Sequence, residues 1–172
     1  YVDITGEVDW VKAMLCQWQE TAQKTGAKLI PFCGFDSIPW DLSSMKLQDA
    51  LENEGDELVS LTFWDEVQGG APGGTFATVI NRIQGTPAKA PRVDFDPFLR
   101  LPDGSKSQYV CKSDLTMTPA KLRISPFGDH DDGKAWTAPF IMAVVNSQIV
   151  RWSYALRGKG SHSITYSESM LL

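Results

Sequence analysis

Paired cysteines, an excess of basic residues and a long apolar run are all missing from this sequence, and each absence removes a class of protein. The three cysteines, Cys16, Cys33 and Cys111, are odd in number and widely spaced, with no C-x-x-C or C-x-x-H among them. That excludes a disulfide or zinc framework and points to free thiols in a reducing intracellular compartment. Sixteen Lys and Arg stand against twenty-one Asp and Glu, a net charge of −5, with no long basic run. Nucleic acid is therefore excluded as the expected partner. The longest uncharged stretch, residues 135–150, contains Pro139, Asn146 and Gln148 and is too short to cross a bilayer. The only histidines, His130 and His162, lie apart and without Cys or carboxylate neighbours at ligand spacing, so no metal is expected. What remains is 172 residues, 42% of them hydrophobic, enough to bury a core.

Residues 1–52 read as β-α-β-α. The strand-like run Tyr1-Val2-Asp3-Ile4 leads through Thr5-Gly6-Glu7 to a helix capped by Asp9 and stopped at Gly26. Trp10, Met14 and Trp18 at fourfold spacing, with Val11 and Leu15 beside them, predict its buried face. The run Leu29-Ile30-Pro31-Phe32-Cys33 reads as a strand buried on both faces, as in a parallel sheet. It breaks into Gly34-Phe35-Asp36-Ser37, after which a helix starts near Pro39 and passes through Leu42, Met45 and Leu51. In open α/β sheets, ligands bind at the loops that follow the carboxyl ends of strands, and both glycine-containing loops hold that position.

Beyond residue 55 the pattern changes. Val59, Leu61, Phe63 and Val67 alternate with polar residues as in a half-buried strand. The run Gly69-Gly70-Ala71-Pro72-Gly73-Gly74 then leads into a helix marked by Phe76, Val79, Ile80 and Ile83. That glycine run matches no phosphate-binding motif and reads as a close-packed turn. Residues 86–134 read as an irregular excursion with brief strands at 109–111 and 121–124, residues 138–156 as an apolar helix, and residues 162–168 as a last strand. The acidic turn at 129–133 lacks the ligand pattern of a calcium loop.

Asp36 and Glu7 stand out as candidate catalytic groups because each is a carboxylate in a ligand-facing loop, able to orient a substrate or transfer a proton. The alternative is that Asp36 and Ser37 cap the second helix while Glu7 and Asp9 complement the dipole of the first. Asn146 interrupts an apolar helix and needs a partner there, with a backbone hydrogen bond as the first expectation and a pocket or interface as the second.

The strings Tyr1-Val2-Asp3-Ile4-Thr5-Gly6-Glu7 and Cys33-Gly34-Phe35-Asp36-Ser37-Ile38-Pro39-Trp40-Asp41-Leu42 resemble the saccharopine dehydrogenase-like oxidoreductases, a group that includes trans-acting enoyl reductases. Gly73-Gly74-Thr75, Trp136-Thr137-Ala138-Pro139-Phe140, Asn146 with Ile149-Val150-Arg151, and Tyr166-Ser167-Glu168 extend the resemblance along the chain. Trp152-Ser153-Tyr154 and Lys159-Gly160-Ser161-His162 depart from the group's usual pattern. The resemblance implies an α/β fold in which residues 1–54 are the last part of a Rossmann-like parallel sheet and residues 55–172 an incomplete α+β second domain. It also implies NAD or NADP as cofactor and hydride transfer to a lipid-like or amino-acid-like substrate. Thr5, Gly6, Gly34, Phe35 and Ser37 would then border the nicotinamide, with Asp36 first and Glu7 second as proton donor. The fingerprint G-x-G-x-x-G is absent, so on this reading the chain is a piece of a longer protein and the fingerprint lies before Tyr1. A homodimer or larger assembly, and peripheral association with a lipid surface, are compatible with that picture. The competing expectation is a non-catalytic scaffold that has kept the oxidoreductase fold.

Overall fold

The computed structural model describes residues 1–66, 96–99, 112–113, 125–126, 136–157 and 164–171. Helix α1 spans Val8–Thr25 and ends at Gly26, whose φ of 71° is the left-handed conformation that stops a helix at lowest cost to glycine. Glu7, not Asp9, stands at the cap position, and its side chain makes no capping bond. The predicted buried face holds at Val11 and Leu15 but not at its tryptophans. Val8, Val11 and Ala13 are buried with Leu15 packed beside them, whereas Trp10 and Trp18 are 42% and 49% exposed. Val11 and Leu15 of the predicted face are packed, and the helix is turned so that the tryptophan edge of that face meets solvent, a rotation that periodicity alone does not fix.

Residues 1–4 and 29–33 do meet in parallel, through a single bridge between Val2 and Ile30. The Ile30 N–H donates to the Tyr1 carbonyl at 2.9 Å, the Asp3 N–H to Ile30 at 3.0 Å and the Cys33 N–H to Asp3 at 2.8 Å. Burial on both faces is not observed: Leu29 and Ile30 are more than half exposed, and only Phe32 is fully packed. Helix α2, Ile38–Asn53, follows with a proline in its first turn. It buries Ser44 and Gln48, while Leu42 is exposed.

A mixed sheet forms the rest. Strand β1 is Ser60–Asp65, β2 Lys112–Ser113, β3 Ser125–Pro126, β4 Trp136–Pro139 and β5 Thr165–Leu171. β5 is central: β1 runs parallel along one edge, with Phe63 opposite Glu168 and Asp65 opposite Met170. β2 pairs with it in parallel, β4 antiparallel, and β3 antiparallel to β4. The helix expected over 138–156 is therefore shorter. Residues up to Pro139 are strand, and α3 occupies Ala143–Leu156. Pro139 has no N–H for a helical bond, which leaves it to the sheet. The expected helix at Phe76 and the strands at 109–111 and 121–124 lie outside the described residues, as do Cys111, His130, His162 and the acidic turn.

Helix α3 carries the packing because it is apolar on two sides. Val150 and Tyr154 join Leu58, Leu61, Ile164 and Tyr166 over the sheet. Val145 and Ile149 join Val8, Val11, Phe32 and Phe98, with Trp152 against them. Phe98, in a short 3-10 turn at Pro97–Leu99, stacks on Trp152 at 4.4 Å and meets Phe32 edge-on at 6.1 Å. This aromatic group ties the first 53 residues to α3.

Candidate functional site

The two loops expected to face a ligand are neighbours. The backbone of residues 3–8 turns tightly: the Thr5 N–H donates to Asp3 Oδ1 at 2.8 Å, the Glu7 N–H to Thr5 Oγ1 at 3.1 Å and the Val8 N–H to the Gly6 carbonyl at 3.0 Å. Bonds from the Tyr1 hydroxyl and the Thr5 N–H hold the Asp3 carboxyl below the usual carboxylate range. In the second loop the Gly34 carbonyl accepts from the N–H groups of Ser37 and Ile38, at 3.1 and 3.0 Å. A Cβ on Gly34 would stand 3.6 Å from the Ile4 carbonyl, in ordinary contact, and would need only the exposed Asp36 side chain to move. The two loops thus approach closely at Gly34. Phe32 enters this turn with φ at 61°, a conformation costing a non-glycine residue about 1–2 kcal/mol. Its buried ring, edge-on to Phe98 and Trp152, holds it there.

Of the candidate residues, Glu7, Phe35 and Asp36 are exposed, Thr5 and Gly6 are half-buried, and Gly34 and Ser37 are buried. Ser37 caps α2 by position only, since its side chain makes no capping bond. The structure therefore brings the start of the first loop against the second, where Asp3 and Ile4 touch Cys33 and Gly34.

Beneath the start of α2 lies a second group of residues. Trp40, in the first turn, stacks on Phe140 with ring centroids 5.8 Å apart and donates its indole N–H to Asp65 Oδ1 at 2.7 Å. On the same face of the sheet, Glu168 accepts from Asn146 Nδ2 at 2.8 Å and from the Tyr166 hydroxyl at 2.7 Å. Asn146 therefore bonds a side chain, not the backbone. Glu168 is 2% exposed. Its burial pushes the carboxyl up to about 7, against the two donors that favour its charge, and the nearby Asp65 adds to the rise. Burial raises Asp65 as well, opposed by the Trp40 bond. Asp41, the next residue on α2, is likewise raised by burial although Ser153 donates to it.

Glu168 was legible in the sequence only as part of Tyr166-Ser167-Glu168, and Asp65 not at all. A charged residue on the inward register of an alternating strand was the available signal. Among the described residues no cluster of His, Cys, Asp and Glu is suited to a metal, and no helix is long and apolar enough to cross a membrane. Cys16 and Cys33 are free thiols.

The Glu168 environment has a consequence for stability. An unfolded chain holds this carboxyl near its ordinary 4.5, and the fold holds it near 7. Protons bind the folded form more tightly, so the contribution is complete below about 4.5 and disappears as pH rises to about 7. Urea unfolding at pH 5 and pH 8 should differ by about 2–3 kcal/mol more for the wild type than for Glu168→Gln. Equal differences in the two proteins would show that Glu168 titrates normally.

These residues define an α/β chain with a mixed sheet, two glycine-bearing loops at the carboxyl ends of a parallel pair, and one buried carboxylate, Glu168, with the half-buried Asp41 and Asp65 near the adjoining helix. It is similar to proteins named trans-acting enoyl reductases. A protein of Mycobacterium tuberculosis provisionally named a trans-acting enoyl reductase is 31% identical over 184 residues, 99% of this chain and 42% of its own length. A trans-acting enoyl reductase of Mycobacterium ulcerans is 31% identical over 179 residues, and one of Mycobacterium bovis 27% over 184. The chain spans about two-fifths of the length of these relatives. No family profile and no solved structure matches it.

Proposed function

We propose that the chain is part of an NAD(P)-dependent oxidoreductase of the saccharopine dehydrogenase-like type, reducing the carbon–carbon double bond of a lipid-like enoyl substrate. The observation that carries this reading is the end-to-end similarity to proteins named enoyl reductases. The meeting of the two loops at the carboxyl ends of a parallel pair, as in a Rossmann-like sheet, agrees with it.

The residues fit one end of a dinucleotide. Nothing lies within 4 Å of where a Cβ on Gly6 would stand, so a flat ring can approach the backbone there, and the Phe35 ring in the other loop is 87% exposed. The phosphates belong elsewhere, because this chain has no G-x-G-x-x-G. Bound there, the cofactor supplies a hydride. Thr5, Gly6, Gly34, Phe35 and Ser37 would form the wall against which it rests, with Glu7 and Asp36 as exposed carboxylates on the rim.

The test uses the full-length protein with NADPH or NADH and a 2-enoyl thioester, following absorbance of the reduced nicotinamide. Turnover is expected, and Asp36→Asn should raise the KM for cofactor or substrate about tenfold through one lost charged hydrogen bond of about 1.4 kcal/mol. A correctly folded full-length protein that neither binds nor oxidises either cofactor would overturn the reading. Unchanged kinetics in Asp36→Asn would remove Asp36 from the site.

A further inference from the structure

Parallel strands are ordinarily covered on both faces and joined into sheets of several strands, and a pair alone is marginal in water. The pair formed by residues 1–4 and 29–33 departs from both habits. Tyr1, Val2, Ile4, Leu29 and Ile30 are 72%, 63%, 75%, 54% and 51% exposed, although all five are apolar or aromatic. Among the described residues no further strand joins them, since β1 to β5 form a sheet of their own. A contiguous apolar surface of this kind marks a place that another element covers.

The hydrogen bonds show which edge of the pair is open. Successive residues of a strand direct their N–H and C=O groups to opposite sides. Ile30 gives both of its groups to residues 1–3, and Asp3 gives both of its groups to residues 30–33. Val2 therefore points its N–H and C=O the other way, where neither meets a partner among the described residues. On the far side of the pair Pro31 holds the outward position and has no N–H to offer. Phe32, with φ at 61°, then leaves the extended conformation, and the ladder skips to Cys33. Proline within sheets is confined to edge strands, strand starts and bulges. Residues 29–33 thus have the chemistry of an outer strand and residues 1–4 that of an inner one.

The length of the relatives argues for the source of the next strand. They match this chain with about two-fifths of their length, so more than half of such a protein lies outside the matched region. A second copy of the chain is a poorer occupant, because a four-residue edge is small against the roughly 1,000 Å² of a stable interface.

We propose that a strand from the part of the full-length protein outside these 172 residues adds to the pair at the Val2 edge, covers Val2 and Ile4, and makes residues 1–4 interior to a larger sheet. The Gly6 loop then stands within the end of that sheet instead of at its rim, and the candidate site gains a wall that this chain does not supply. The proposal rests on backbone hydrogen bonding and on the relatives' length, and it holds whatever reaction the protein performs.

The test is single-residue amide hydrogen exchange in the full-length protein, each rate taken relative to that of an unfolded chain. Asp3, whose N–H is bonded to Ile30 at 3.0 Å, is the protected reference, and Leu29, whose N–H meets no partner among the described residues, is the open one. Val2 is expected to exchange at least about 100-fold more slowly than Leu29, and to keep that protection at a dilution where light scattering shows a monomer. Exchange at Val2 closer than this to that of Leu29 overturns the proposal. Protection seen in an oligomer and lost in the monomer assigns the edge to a second copy and overturns it as well. Turnover plays no part in the readout: a protected Val2 in a protein that reduces no enoyl substrate leaves the proposal standing and the reductase reading overturned, and an unprotected Val2 in an active reductase does the reverse.

Discussion

Replacing Phe98 by alanine should cost the fold about 3–5 kcal/mol, the range for deleting a buried aromatic ring from a packed core. The ring is 0% exposed. It is stacked on Trp152 with an interplanar angle of 2°, edge-on to Phe32, and covered by Lys12 with the ammonium 4.8 Å from its centroid. Phe98 also stands between α1, Phe32 and α3. Its removal should therefore loosen the Gly34 loop as well as lower global stability, since Phe32 holds an unfavourable backbone angle only while its ring is packed. Urea denaturation measures the first effect and amide hydrogen exchange at Cys33 and Ser37 the second. A loss below about 1 kcal/mol would mean that the aromatic group does not join the two parts of the chain.

The second large effect is electrostatic. Asp96 Oδ2 receives both Lys12 Nζ and Arg151 Nη2 at 2.9 Å, and Oδ1 accepts the Phe98 N–H at 3.1 Å. The side chains of Lys12 and Arg151 are only 15% and 19% exposed. Asp96→Asn keeps the shape and removes the negative charge that the two half-buried cations share. Breaking a buried pair costs about 3–5 kcal/mol. Partial exposure here reduces the expected loss to about 2–3 kcal/mol. Lys12 keeps its bond to Gln148 Oε1 at 2.9 Å, so it is not stranded. The double variant Lys12→Met with Asp96→Asn should recover part of the loss, because one of the two repelling charges is gone. If the single variant matches wild type in urea at low salt, Asp96 does not hold α1 and α3 together.

How much of this was readable from sequence differs element by element. α1, α2 and β1 were legible because their spacing repeats over several turns or alternations, and Gly26 and Pro39 marked ends that depend on backbone chemistry alone. The parallel meeting of residues 1–4 with 29–33 followed from a helix inserted between two apolar runs. The burial of particular residues did not follow. Val11 and Leu15 of the predicted face of α1 are packed, whereas Trp10 and Trp18 on the same broad face are exposed, and how far the helix is turned inward depends on where Phe98 and α3 stand. Leu29 and Ile30 read as core, yet in this structure more than half of each is exposed.

The candidate site divides along the same line. The sequence by itself determined the loops, because glycine beside a strand end and a carboxylate before a helix are local features: Gly6, Glu7, Gly34, Asp36 and Ser37 could be named without neighbours. Only the tertiary structure decided that Asp65, Asn146, Tyr166 and Glu168 meet over one face of the sheet. They come from residues up to 103 positions apart in the chain, brought together by the pairing of β1 with β5 and by α3 across them. The state of a buried acid is set by the water it loses and the charges it meets. Those are properties of the packed neighbourhood, and no local run of residues carries them.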